Sequence, residues 1–390
     1  MTCISVGLER LLSDPPGWIM GRRLGLLCNQ ASVDASLRHA KDLINTRFPG
    51  QLRAIFTPQH GLFAEKQDNM VESPHERDTG LNIPVYSLYS GSRVPEPWQL
   101  YDIELFLVDI QDIGCRVYTF IWTMYLAMKA CAKAGIGMVV LDRPNPIGGC
   151  LVEGNLLDEG LKSFVGLAPI PMRHGMTVGE LARFFVWLED LDLELHVVRM
   201  DGWRRDMDFQ DTGLPWIWPS PNIPTVDTAL VYPGQVVLEG TNLSEGRGTT
   251  RPFEVFGAPY LDIVRFKSAV ERLALPGFVL REQYFEPTFH KWAGKRCRGF
   301  QIHVIDKRRY RPYLTTLSIV SLAKKLHPID FQWREPPYEY DFERLPIDLI
   351  IGSETVRKAV EVGDGLEGIE SLWHRDMEEF LRLRSRFLLY

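Results

Sequence analysis

Short apolar runs alternate with helical segments along the first third of the chain, and this alternation sets the fold class. RRLGLLCNQ reads as a strand, SLRHAKDLINTRF as a helix and LRAIFTPQHG as a second strand, together a βαβ unit. The pattern continues through IPVYSLY, the strand IELFLVDIQDIG, an apolar helix from Tyr118 to Lys133 and the strand GMVVLDRPNP. Strands that are apolar almost throughout, separated by helices, predict an α/β domain whose parallel sheet is covered on both faces.

Four of these strands end in a polar cluster: Asn29-Gln30, Pro58-Gln59-His60, Asp109 to Asp112, and Asp142 to Asn145. In an open parallel sheet, ligands bind beyond the carboxyl ends of the strands, so the clusters mark a site before any specific chemistry is considered.

Further along, HGMTVGELARFFVWLED opens with Thr177 and Glu180 at capping-box spacing before an amphipathic helix, and LELHVVRM follows as a strand. WIWPSPNIPTVDT, with three prolines, predicts a rigid aromatic loop with the domain boundary near its end, dividing the chain into residues 1–228 and 229–390. The second part begins with YPGQVVLEGTNLSEGRGTTRPFEVFGAP, whose glycines call for an unusual backbone path. The rest reads as a smaller mixed α+β domain. It has helices in DIVRFKSAVERLA and TTLSIVSLAKKL and strands around FVLREQYFEP and RGFQIHVID. A final helix places Ile369, Leu372, Trp373, Met377 and Phe380 on one face.

Composition changes this picture little. The 390 residues, 45% hydrophobic and 24% charged, carry a net charge of -6 without a block of like charges, which argues against a nucleic-acid partner. The opening residues lack the pattern of a secretory signal, and the apolar run from Val117 to Ala132 is shorter than the ~20 residues that span a bilayer. Both point to a cytoplasmic protein with no membrane partner. Cys3, Cys28, Cys115, Cys131, Cys150 and Cys297 show no metal-site spacing and fit buried thiols in a reducing compartment.

Several chemistries are disfavoured by the motifs that are missing. After the first strand the chain reads LCNQASV and not GxGxxG, and neither a phosphate-binding GxxxxGK[ST] nor an HExxH occurs, so no cofactor is expected. Ser244 in NLSEG mimics a nucleophile elbow without its first glycine. His60, His75, Glu65, Asp68 and Asp109 could be drawn together around a metal, but none has a spacing that only a metal explains, and no metal is expected.

What remains is a crevice rich in carboxylates, amides, arginines and aromatics, the equipment of a carbohydrate site. Glycoside hydrolysis usually needs two carboxyl groups, for which Glu65, Asp109, Asp112, Glu239 and Glu245 are the candidates. Each has a structural alternative: Asp109 and Asp112 as helix caps, Glu239 and Glu245 as loop staples, Glu65 as a solvated charge. Trp216 and Trp218 fill space between domains or stack on sugar rings.

The ordered blocks LGLLCNQASV, FTPQHG, PVYSLYS, LVDIQDIGCRVYTFIWTM, VLDRPNPIGG, PMRHGMTVGE, WPSPNIPT and LEGTNLSEGRGTTRPFEVFGAP resemble the NamZ-like exo-β-N-acetylmuramidases over nearly the full length. The resemblance implies a Rossmann-like N-terminal domain, a smaller C-terminal domain, a site in the cleft between them, and release of N-acetylmuramic acid from the non-reducing ends of peptidoglycan fragments. Many members read PEHG after the second strand, with the glutamate as the proposed catalytic residue. Here Gln59 takes its place, and Glu65, six residues on, is the preferred substitute. Recycling of imported fragments reconciles the activity with a cytoplasmic location.

For catalysis the residues of choice are Glu65, Asp109 and Glu239. Arg247, with Arg143 second, is expected to bind the lactyl carboxylate of the sugar through a planar fork of donors. Asn29, His60, Asn145, His174, Asn222 and Asn242 are expected to hold hydroxyls and the acetamido group, with Gln59, Asp112 and Glu245 completing the lining. A glycosidase for another acidic or N-acetylated sugar and a non-catalytic muropeptide sensor stand as the alternatives.

Overall fold

A computed structural model describes residues 4–67 and 70–390; Cys3 and Asp68 lie outside them. In chain order the strands of the first sheet are β1 (Leu24–Cys28), β2 (Leu52–Thr57), β3 (Glu76–Asp78), β4 (Ile83–Ser87), β5 (Leu105–Asp109), β6 (Gly137–Leu141) and β7 (Leu195–Val198). They form one seven-stranded sheet in the order β3-β4-β2-β1-β5-β6-β7. All neighbours pair in parallel except β3, an edge strand antiparallel to β4. The direction of winding reverses between β1 and β5, the position at which such sheets open a crevice at their carboxyl ends.

The strands are apolar on both faces because both faces are covered. Leu27, Phe56, Phe106, Val108, Met138 and Val140 pack on one side with the helices Phe120–Ala134 and Val178–Leu188. Their strand neighbours Leu26, Cys28, Ile55, Leu107, Val139 and Leu141 pack on the other side with Ala40 and Ile44 of the helix Ala40–Arg47 and with Leu8 and Leu11 of Gly7–Ser13, a helix the pattern did not announce. The expected capping box forms, with Thr177 Oγ1 accepting from the Glu180 amide and Glu180 accepting from the Thr177 amide.

The second part departs further from expectation. Strands β8 (Val255–Ala258), β9 (Phe278–Phe285) and β10 (Cys297–Val304) make a separate antiparallel sheet in the order β8-β10-β9. The stretch YPGQVV, expected to be irregular, is helical: Val226–Gln235 is an α-helix despite Pro233, and Val236–Gly240 continues it as a tighter 3₁₀ turn. The boundary expected after residue 228 falls in the first turn of this helix. Gly234 allows close packing, since a Cβ there would sit 1.9 Å from the Pro312 carbonyl oxygen of the neighbouring helix Pro312–Leu326. The final helix is two helices, Leu366–Ser371 and His374–Arg384. The break turns Leu372 outward while Ile369, Trp373 and Phe380 stay buried. Helices Pro346–Ile351 and Glu354–Val362 precede them.

One continuous apolar core runs from beneath the first sheet into the second part. Arg116 stitches the two: its buried guanidinium donates to the carbonyls of Asn155 (2.8 Å) and Ile170 (3.0 Å) and to Ile350 (3.2 Å) beyond the seam. No described helix is long and apolar enough to cross a membrane.

Candidate active site

The carboxyl end of the sheet faces the second part across a narrow, open-mouthed recess with about 30 Å³ of free volume. Gln59 and His60 reach it from the loop after β2, and Val117 to Phe120 from the loop after β5. Ser220, Asn222 and Ile223 come from the proline-rich loop, and Tyr232, Glu239, Arg247, Phe253, Tyr338 and Glu339 from the second part.

Local backbone chemistry aims these side chains. Pro58 cannot continue the strand ladder, and His60 and Gly61, at φ of 77° and 84°, turn the chain sharply. Gln59 is left above the sheet, where its Oε1 accepts a 2.8 Å bond from the Thr119 hydroxyl at the start of Phe120–Ala134. Arg247 stands between Gly246 and Gly248, both in the left-handed region at φ of 78° and 80°. Only glycine fits there, because added Cβ atoms would lie 2.6 Å from the carbonyl oxygens of Val255 and Phe289. His60, Phe253 and Glu339 line the recess as non-glycine residues with positive φ. Such conformations cost about 1–3 kcal/mol each and gather at functional sites.

Two carboxyl groups face this space in opposite electrostatic settings. Glu239, 2% exposed, receives Arg247 Nη2 at 2.6 Å and Nε at 3.1 Å on Oε1, and the Tyr338 hydroxyl at 2.7 Å on Oε2. Charge-assisted bonds from the guanidinium and a phenol donor thus occupy both oxygens of this carboxyl. Glu339 has no such cation on its oxygens. Its burial and the nearby Glu239 push its proton affinity up, against lowering contributions from the Tyr89 hydroxyl, 2.6 Å from Oε2, from the Gln59 amide and from Arg93. The Gln59 amide is turned to Glu339, and the buried Tyr118 hydroxyl to Ser220. Both residues line the recess.

Behind Glu239 lies a second layer of charge. Glu245 is fully buried, with Lys291 Nζ at 2.7 Å, His290 Nδ1 at 3.2 Å and Arg247 Nε at 3.5 Å. Burial opposes its ionisation, but these cations outweigh burial and hold its carboxyl well below the usual range. Lys291 also donates to the Leu238 carbonyl at 2.7 Å and the Leu243 carbonyl at 3.0 Å, which fixes the turn that carries Glu239.

Of the residues expected at the site, the recess brings together Gln59, His60, Asn222, Glu239 and Arg247, with Glu245 immediately behind. The others lie elsewhere. Glu65 is exposed and takes no part in the lining. Asp109 is fully buried and bound by Arg143, whose Nη2 reaches Oδ2 at 2.8 Å, so this pair braces the ends of β5 and β6. Asn29 ties β1 to the proline-rich loop by a 2.8 Å bond to the Pro219 carbonyl. Asn145 donates to the Met176 carbonyl at 3.0 Å, and Asp112 caps the Gly114 amide at 2.6 Å with His174 Nε2 3.2 Å away. Asn242 sits between the Asp330 carbonyl and the Tyr260 hydroxyl, each at 2.7 Å. Trp216 is half-buried against Phe209, and Trp218 is exposed.

Glu339 escaped the sequence reading. Its signal is the segment PPYEYD, an acid flanked by tyrosines just after two prolines, the same grammar of prolines and aromatics as WIWPSPN. No group of three or more histidines, cysteines, aspartates or glutamates among the described residues is arranged to hold a metal ion.

Known proteins share this architecture throughout. Residues 24–227 match the family described as "Exo-beta-N-acetylmuramidase NamZ, N-terminal", and residues 230–390 match its C-terminal counterpart. The Peptidoglycan beta-N-acetylmuramidase NamZ of Bacillus subtilis (strain 168) is 40% identical over 388 residues, 99% of this chain and 91% of the relative. A crystal structure of a DUF1343 family protein from Bacteroides fragilis NCTC 9343 superimposes with a TM-score of 0.90 at 33% identity, covering 100% of both chains. A second from the same organism gives 0.77 at 29% identity, covering 100% of this chain and 99% of the other. With both halves matched in order and a relative at 40% identity along nearly its whole length, the chain belongs to the exo-β-N-acetylmuramidase NamZ family.

Proposed function

We propose that this protein is a glycoside hydrolase that releases N-acetylmuramic acid from the non-reducing ends of peptidoglycan fragments, with Glu339 as proton donor and Glu239, paired with Arg247, as the second carboxyl group. The observation that carries the assignment of roles is the pair of buried carboxyls on one recess, one tied to Arg247 and the other held toward its neutral form. Two carboxyl groups flanking one recess are the working parts of glycoside hydrolysis. Glu339 protonates the glycosidic oxygen as its bond to C1 breaks, the Glu239 carboxyl faces the positive charge that develops on the sugar ring, and a water adds to C1 and returns a proton to Glu339.

Gln59 is the family's departure in this chain, and an amide cannot donate that proton. Glu339 stands beside it and supplies the acid in place of the exposed Glu65. This favours an enzyme over a non-catalytic sensor. Gln59 and Tyr118, which line the recess, then contact the acetamido group, His60 and Asn222 contact hydroxyls, and the Arg247 wall of the recess faces the lactyl carboxylate.

The reading places the recess at the seam of two parts, residues 1–228 and 229–390, and the reaction in the cytoplasm on imported fragments. The five described cysteines are all free thiols, which supports a reducing compartment. Its ligand is a small carbohydrate, with no nucleic acid, membrane or cofactor.

The test is hydrolysis of a chromogenic β-N-acetylmuramide beside the matching N-acetylglucosaminide, for wild type, Glu339→Gln and Glu239→Gln. Release from the muramide alone, abolished in both variants, is the expected result. Full activity in Glu339→Gln would remove the proposed acid.

A further inference from the structure

We propose that Arg93 is a positioning residue for catalysis: clamped between the rings of Tyr89 and Tyr340, it fixes the Glu339 carboxyl in the recess and places a positive charge nearby. The inference rests on the reading of Glu339 as the proton donor.

The geometry begins with strain. Glu339 and Tyr340 are consecutive non-glycine residues at φ of 46° and 66°. A backbone in the left-handed region at two such positions persists only where the surroundings over-determine it. Those surroundings come from the segment after β4. The Tyr89 hydroxyl bonds Glu339 Oε2 at 2.6 Å, and the Arg93 guanidinium carbon lies 4.3 Å from the ring centroids of both Tyr89 and Tyr340. A cation between two aromatic faces locks the rings to each other. The arginine is itself fixed, by a bond to the Ser90 carbonyl, by Glu72 at 3.8 Å and by the Phe164 ring at 5.8 Å. Tyr340 closes the assembly with a 3.2 Å bond to the Met70 carbonyl.

The residues immediately flanking Glu339 do not supply this hold. Tyr338 is committed to Glu239, and only the side chain of Tyr340 reaches the outer segment. Around Glu339 stand Tyr89 and Arg93 from the segment after β4, Gln59 and His60 from the loop after β2, and Glu239 with its partner Arg247 from the second part. Tyr338 and Tyr340 flank it on its own turn. Glu239 opposes its ionisation, and Arg93 favours it. Loss of Arg93 therefore both frees the carboxyl and makes its proton harder to remove.

The experiment is the pH–rate profile of kcat and KM on the chromogenic β-N-acetylmuramide for wild type, Arg93→Met, Arg93→Lys and Glu339→Gln, each with its thermal unfolding recorded. In Arg93→Met, kcat is expected to fall roughly 10- to 100-fold, the scale of a misplaced catalytic group, with the larger change in kcat and not KM. The alkaline limb, which reports loss of the acid's proton, is expected to move to higher pH. Arg93→Lys, which keeps the charge between the rings, should restore the limb and part of the rate. An inactive Glu339→Gln with an unmoved alkaline limb in Arg93→Met overturns the role of Arg93 alone. An active Glu339→Gln overturns the assignment of the acid, and this inference with it.

Discussion

Arg247 approaches Glu239 with two nitrogens on one oxygen, Nη2 at 2.6 Å and Nε at 3.1 Å, and both residues are almost wholly buried. Removing one member of a buried ion pair leaves the other charge desolvated, a cost of about 3–5 kcal/mol. Arg247→Met is expected to lose stability on that scale in urea denaturation, together with activity. Arg247→Lys keeps a charge without the planar fork, so it should recover part of the stability and little of the rate. Equal stability of wild type and Arg247→Met would mean that the buried pair contributes nothing to folding.

Glu65 gives the opposite expectation. It is exposed and outside the recess. Glu65→Gln should change stability by no more than about 0.5 kcal/mol, as for a surface substitution, and leave kcat/KM within about twofold. A large loss of rate would place Glu65 against substrate after a movement of its loop.

The first sheet was legible because burial on both faces writes itself into the strands: Leu26 and Leu27 are both apolar since each meets a different core. The polar clusters at the strand ends were legible for the same reason, as the points where apolar spacing stops. What each polar residue does there was not. Asp109 and Glu239 are both buried acids paired with an arginine, but Asp109 braces two strands while Glu239 faces open space. That difference depends on contacts between residues far apart in the chain. Glu339 was hidden for the same reason, since Gln59 and Tyr89, its neighbours, lie some 250 positions away or more. The helix through Pro233 and Gly234 was obscured because tertiary packing against Pro312–Leu326 overrides their poor local propensity.

Asp142, at the end of β6, predicts a pH dependence of stability. Burial raises its pKa to about 7, although the Gly179 amide and the hydroxyls of Thr177 and Tyr390 hydrogen-bond its carboxylate. The folded state therefore binds this proton more tightly than the unfolded chain, whose ordinary value is 3.8. The contribution is fully present below the unfolded value and is lost as pH rises through about 7. It amounts to no more than about 4 kcal/mol. Asp142→Asn keeps an acceptor for the Gly179 amide and removes the titration, so the decline in unfolding free energy between acid and neutral pH should flatten. An unchanged slope would assign the dependence to another group.

Gln59→Glu adds an acid to a recess where Glu339 already stands beside it. The Thr119 hydroxyl, 2.8 Å from Gln59 Oε1, would still have its acceptor, so the substitution is sterically mild. Its cost is electrostatic: two close carboxyls at a buried site cannot both ionise, and one proton is shared between them. The shared proton raises the folded-state affinity of the pair, so the variant should approach wild-type stability at acid pH and lose roughly 1–3 kcal/mol as pH rises past neutrality. The alkaline limb of its pH–rate profile should move upward with it. Were the limb to stay in place while the rate rose, the new glutamate would have become the proton donor on its own, and Glu339 would be reduced to its neighbour.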